Sequence, residues 1–296
     1  MTSPTAAALP LRRDLTLAYA SSLAVAFALA VASIAGLVPG SHGLYDTGSP
    51  LVQVSRGGDA ANLVLGVPVL LGSMWLARHG SLIGLLLWPG ALFYALYADA
   101  LYLVGAPLSG LFFWYVAVVT LSAWTLVGIV ASIDAEEVCR RHPVAPARRV
   151  GIALVLIAVL AYVGLTAAVG SSLDSPQSDV GMRPQWVVDF ALGTPVLLLG
   201  GALLWRRMSL GYVATVGLLL VSGLNGLAFA ASAMLDGLLS GRAFEPAVVV
   251  VHLAIGGASL GLLAYFERGA IGRAPNVRPG VSSWPSEQAP RSERSS

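Results

Sequence analysis

The chain has 296 residues, of which 56% are hydrophobic and only 11% charged, with a formal net charge of +2. A soluble globular domain carries about 25% charged residues, so this composition excludes an ordinary water-facing surface and points to membrane spans of ~20 apolar residues. The small, dispersed charge gives no basic surface for a nucleic acid, and one cysteine, Cys139, excludes an intrachain disulfide, a dithiol redox pair and a thiolate metal site.

Eight apolar segments follow in chain order, over residues 15–38, 59–77, 81–104, 110–132, 150–170, 186–205, 209–235 and 246–266. Each is long enough to cross a bilayer as a helix. All 17 basic residues are arginine. Together with the abundance of Ala, Gly and Leu, this suggests a GC-rich bacterial origin. Arg12 and Arg13 precede helix 1, Arg78 separates helices 2 and 3, and Arg140, Arg141, Arg148 and Arg149 separate helices 4 and 5. Arg206 and Arg207 separate helices 6 and 7, and Arg268, Arg273, Arg278, Arg291 and Arg294 follow helix 8. Only Arg56, Arg183 and Arg242 fall on the other side. Basic loops stay cytoplasmic, so both termini are expected inside a bacterial cell membrane. Arg12-Arg13 before an apolar run also fits a signal peptide. A retained helix 1 is the preferred reading, because helix 5 looks like its counterpart.

The halves align at a shift of 127 positions. Arg56 matches Arg183, and Leu65-Gly66-Val67-Pro68-Val69-Leu70-Leu71 matches Leu192-Gly193-Thr194-Pro195-Val196-Leu197-Leu198, giving 7 identities in 16 over residues 56–71. Ser81-Leu82 matches Ser209-Leu210 after a one-residue slip, and Tyr115 aligns with His252 at a shift of 137. The expected fold is all-α: two parallel four-helix repeats, over residues 15–135 and 150–266. A cytoplasmic N-terminus (1–14), a cytoplasmic linker (136–149) and a disordered, proline- and serine-rich cytoplasmic tail (267–296) complete the chain. Pro68 and Pro195 each free a carbonyl one turn earlier and are expected to kink helices 2 and 6 alike.

A polar residue, LGxPVLL, a basic turn, Ser-Leu and a helix carrying Tyr94, Tyr97 and Tyr102 resemble a group of uncharacterised bacterial multi-pass membrane proteins. The resemblance is closest over helices 2–4. It implies the membrane setting and no activity, cofactor or site residue.

Ionisable groups within a span are costly and mark places of interest. Asp99 on helix 3 and His252 on helix 8 lie ~8 and ~9 Å from the outer ends of their helices. Asp59 and Asn62 open helix 2, with Asp59 a candidate N-cap. Asp189 stands in the first turn of helix 6, at the position equivalent to Asn62, where the helix dipole favours negative charge. Asn225 on helix 7 matches Tyr97 at a shift of 128, and Tyr115 is the counterpart of His252. Asp99, His252, Asp189, Asn225, Asn62, Tyr97 and Tyr115 are therefore candidates to line an outward-facing polar pocket for a small molecule, a cation or a proton. Asp99 is the hardest to dismiss: it pairs with His252 or an outer arginine, or it stays protonated.

Other chemistries fit poorly. His252 is the one histidine in a span, which argues against a bis-histidine haem, and no cofactor is indicated. Gly257-Ala258-Ser259-Leu260-Gly261 matches GxSxG but lies inside an apolar helix rather than at a strand–turn–helix elbow. There is no Walker A, HExxH or dinucleotide motif. The expected function is ligand or ion binding and transport. An acid–base enzyme acting on a lipid or quinone through His252 and Asp99, or a non-catalytic scaffold, are the alternatives.

Overall fold

The computed structural model describes residues 9–38, 50–106, 108–142, 146–173, 182–240 and 246–271. The expectations for residues 1–8, His42, Arg242 and the tail beyond residue 271 lie outside the described residues. Eight helices are long and apolar enough to cross a membrane. They are α1 (Thr16–Leu37), α2, α3 (Leu82–Gly105), α4 (Phe112–Ser132), α5 (Ala147–Ser172), α6, α7 (Ser209–Ser240) and α8 (Pro246–Ile271). A short helix, Ala135–Arg141, links α4 to α5.

Helix α2 consists of Pro50–Ala61, a π-helical turn Asn62–Gly66, and Val67–Arg78. Helix α6 consists of Arg183–Val188, a π-helical turn Asp189–Gly193, and Thr194–Trp205. The two π turns lie 127 positions apart, and each ends two residues before a proline. A proline lacks the N–H for the i→i−4 bond, and its ring crowds that carbonyl. Widening the ladder by one residue relieves the crowding: Val67 N–H donates to the Asn62 carbonyl, and Thr194 N–H to the Asp189 carbonyl. The expected kinks are thus π turns, and their first residues are Asn62 and Asp189.

The next turns match as well. Ser81 N–H donates to Leu76 O and Gly80 N–H to Ala77 O; Met208 N–H donates to Leu203 O and Arg207 N–H to Leu204 O. Gly80 (φ 81°) and Arg207 (φ 57°) both adopt the left-handed conformation that closes a helix. These two turns, like the two π turns, stand 127 positions apart.

Helices α3 and α7 form the centre of the bundle and are mostly buried, whereas α5 and α8 are the most exposed. The two central helices cross at Gly90 and Gly217, where a Cβ on Gly90 would fall 2.5 Å from the Gly217 Cα. The backbones touch there, so neither position accepts a larger residue without displacement.

The four-helix groups pack differently. Helix α1 lies along α4, while α5 and α8 scarcely touch. Trp88, fully buried in α3, donates Nε1–H to Ser22 Oγ on α1 at 2.9 Å and packs on Tyr19 at a ring distance of 4.5 Å. Thr125 on α4 donates to Ser21 Oγ on α1 at 2.8 Å.

At the face where the described chain begins and ends, Leu11 bridges Ile133, Asp134 N–H donates to Pro10 O, and Arg12 pairs with Asp134 at 3.3 Å. The Asp134 carboxylate also caps Ala135–Arg141 through Glu136 and Glu137 N–H. These bonds and Arg12 hold its carboxyl below the usual range.

Candidate functional site

Two boundary expectations change first. Helix α2 begins at Pro50, so Asp59 is its tenth residue and not an N-cap. Helix α6 begins at Arg183, which puts Asp189 at the seventh residue, past the first turn and at the head of the π turn. Both starts are amphipathic or proline-led rather than apolar, so hydropathy alone reads them as loop.

The structure sorts the seven candidates into two groups. Four line a partly open cavity of about 530 Å³ bordered by α3, α5, α6, α7 and α8: Tyr97, Asp189, Asn225 and His252. That volume is in the range that holds small organic ligands. Tyr97 Oη donates to Asp189 Oδ1 at 2.7 Å, joining α3 of the first group of helices to α6 of the second. Gln185, one turn back on α6, also hydrogen-bonds the Asp189 carboxylate, and His252 acts on it electrostatically. Gly193 makes room for this arrangement: its missing Cβ would stand 3.0 Å from Asp189 Oδ1 and 3.2 Å from the Tyr97 ring.

The His252 ring is oriented by its own helix. Nδ1 lies 2.8 Å from the Val248 carbonyl. A carbonyl only accepts, so Nδ1 carries a hydrogen in this contact. The ring packs against Phe229 at 5.4 Å.

The other three candidates, Asp99, Asn62 and Tyr115, lie in the interior of the first four helices. All three are at most 2% exposed. Both Asp99 carboxyl oxygens, Asn62 Oδ1 and the Tyr115 hydroxyl have no hydrogen-bond partner among the described residues. The Asp59 carboxyl, 1% exposed, acts on Asp99 and Tyr115. Tyr115 stacks on Tyr102 at 5.1 Å. Asp99 is not among the residues lining the cavity, whereas His252 is. The charged group on which His252 acts is Asp189. Among the described residues no three His, Cys, Asp or Glu side chains converge to hold a metal ion.

Sequence reasoning passed over Gln185, Ser222, Phe93 and Phe229, which also line the cavity. Ser222 was detectable as a polar residue in an apolar helix, whereas Gln185 lies in the first turn of α6, which hydropathy reads as loop. Phe93 and Phe229 carry no signal, because an aromatic side chain in a span has many possible neighbours. His142, read as a loop residue, is 2% exposed, stacks on Phe266 at 5.8 Å and lies 3.7 Å from Glu267 at the end of α8.

No protein-family model, curated protein or solved structure matches the chain.

Proposed function

We propose that this integral membrane protein binds and transports a small molecule, and that the cavity bounded by Tyr97, Asp189, Asn225 and His252 is its ligand site. In this reading the chain is two parallel four-helix repeats in a bacterial cell membrane, with both termini cytoplasmic and the polar end of the cavity toward the outside. The matched π turns and left-handed turns at a spacing of 127 support the duplication. The arginine distribution supports the orientation.

The observation that carries the reading is the Tyr97–Asp189 hydrogen bond in the cavity wall. A carboxylate within a span is expensive and faces a pathway or a partner. Here it faces open space, held by one donor from each half. Relative movement of the halves would change that bond, so the site is suited to coupling occupancy to rearrangement.

The test uses a Cys139→Ser background with Ser222→Cys as the single thiol in the cavity. A membrane-impermeant cationic thiol reagent added to the outer side of sealed vesicles should label it, and adding Asp189→Asn should slow the labelling. A Ser222→Cys thiol inert from both sides would overturn the reading.

A further inference from the structure

The residues around the cavity also specify the charge and polarity of its ligand. This inference rests on the cavity being the ligand site. Among the described residues, Asp189 is the one carboxylate in the lining, and no arginine joins it. Of its three acting neighbours, Tyr97 and Gln185 are uncharged hydrogen-bonding groups, and His252 acts on it electrostatically. A phosphate, sulfate or carboxylate head group would meet a like charge with no arginine among the described lining residues to offset it. A positive group would find a carboxylate and the aromatic side chains of Phe93, Tyr97 and Phe229, whose rings attract cations through their π electrons.

The rest of the wall is aliphatic. Ile157, Leu165, Val251 and Ile255 line it from α5 and α8, the two helices that hardly contact each other. Their outer surfaces carry exposed Leu160, Val163, Val250 and Leu253, as suits helices facing lipid. The cavity therefore has a polar anionic end between the halves and an apolar side at the gap between α5 and α8. We infer that it takes a lipophilic monocation, an amphiphile with a single positive centre, which enters from the bilayer through that gap with its cationic centre at Asp189 and its apolar body against α5 and α8.

The experiment compares tetraphenylphosphonium with tetraphenylborate, ions of nearly the same shape and opposite charge. Equilibrium binding is measured on the purified full chain in nanodiscs, with empty nanodiscs subtracted. Saturable binding of the phosphonium and none of the borate is expected, with the phosphonium affinity lowered about tenfold or more by Asp189→Asn. Gly164→Phe is a second variant. A Cβ at Gly164 meets nothing within 4 Å, so this chain should fold with its cavity filled and bind neither ion. Equal binding of the two ions, or phosphonium binding indifferent to both substitutions, overturns the inference. If neither ion binds while Ser222→Cys remains reactive, the ligand class is wrong and the cavity reading stands. If neither binds and the thiol is inert, both fall. A dimer that buries Ser222→Cys also overturns the inference, because a second copy would then be the occupant.

Discussion

The two four-helix groups share a local plan and differ in how they are filled. Each has a π turn followed by a proline, headed by Asn62 in one and Asp189 in the other, and each closes its second helix through a left-handed residue. In the first group α1 lies along α4, and Trp88, Tyr19, Ser21 and Thr125 knit the interior. In the second, α5 and α8 stand apart and leave the cavity. The polar residue heading the π turn consequently has a different fate in each. Asn62 is sealed, with its carbonyl oxygen lacking a partner among the described residues, whereas Asp189 borders open space and is held by Tyr97. One backbone device thus serves a closed core and an open site, and the packing of the outer helices decides which.

The largest expected effect comes from attacking the filled side. Trp88→Ala should cost ~3–5 kcal/mol, since it empties a fully packed position and strands Ser22. Phe229→Ala at the cavity wall should cost under about 2 kcal/mol, because a ring already facing a void loses fewer contacts. Reversible unfolding in detergent micelles measures both, and equal costs would remove the distinction between the halves. Next come two tyrosines. Tyr97→Phe deletes a hydrogen bond to a carboxylate and should destabilise by ~1.5–3 kcal/mol. Tyr115→Phe removes a buried hydroxyl without a partner among the described residues and should be neutral or slightly stabilising. The matched turns give a smaller, oppositely signed pair. Arg207→Gly should stabilise and Gly80→Ala destabilise, each by ~1 kcal/mol, because only glycine adopts the left-handed conformation without a steric penalty.

The smallest effect is a pH dependence away from the cavity. Burial pulls the His142 imidazole pKa down, but the Glu267 carboxylate and the Val138 carbonyl outweigh it, and the net displacement is upward. A raised histidine pKa contributes stability that is complete below the ordinary value of about 6.5 and lost as pH rises through the raised one. The thermal midpoint should fall as pH is taken from about 6 to about 8.5, and Glu267→Gln should flatten that slope. An unchanged slope in the variant would detach His142 from Glu267.

The eight spans were legible because an uninterrupted run of ~20 apolar residues matches the thickness of a bilayer and suits little else. Pro68 and Pro195 in matched GxP contexts revealed the site of the helix irregularity, though not its π form. The first turns of α2 and α6 were not legible, since Pro50–Gly58 and Arg183–Gln185 lack the hydropathy that marks a span. Asp189, Tyr97, Asn225 and His252 stood out as polar residues in apolar helices. Their separation from Asp99 depends on helix azimuth and on the spread of α5 from α8, which follow from side-chain packing across the bundle rather than from any one helix's pattern. Asp99 attracted attention for its cost; the structure places it with Asp59 in the closed half.

The most direct test compares matched interior positions. In a Cys139→Ser background, Ser222→Cys lies in the cavity wall and Ser122→Cys, on the fully buried Ser122 position of α4, lies in the filled half. Their reaction rates with a membrane-permeant maleimide in nanodiscs report whether each interior is open. Labelling of Ser222→Cys at least about tenfold faster, and slowed by tetraphenylphosphonium, is the expected result for an open, cation-binding half beside a closed one. Equal rates, or a faster Ser122→Cys, would contradict it.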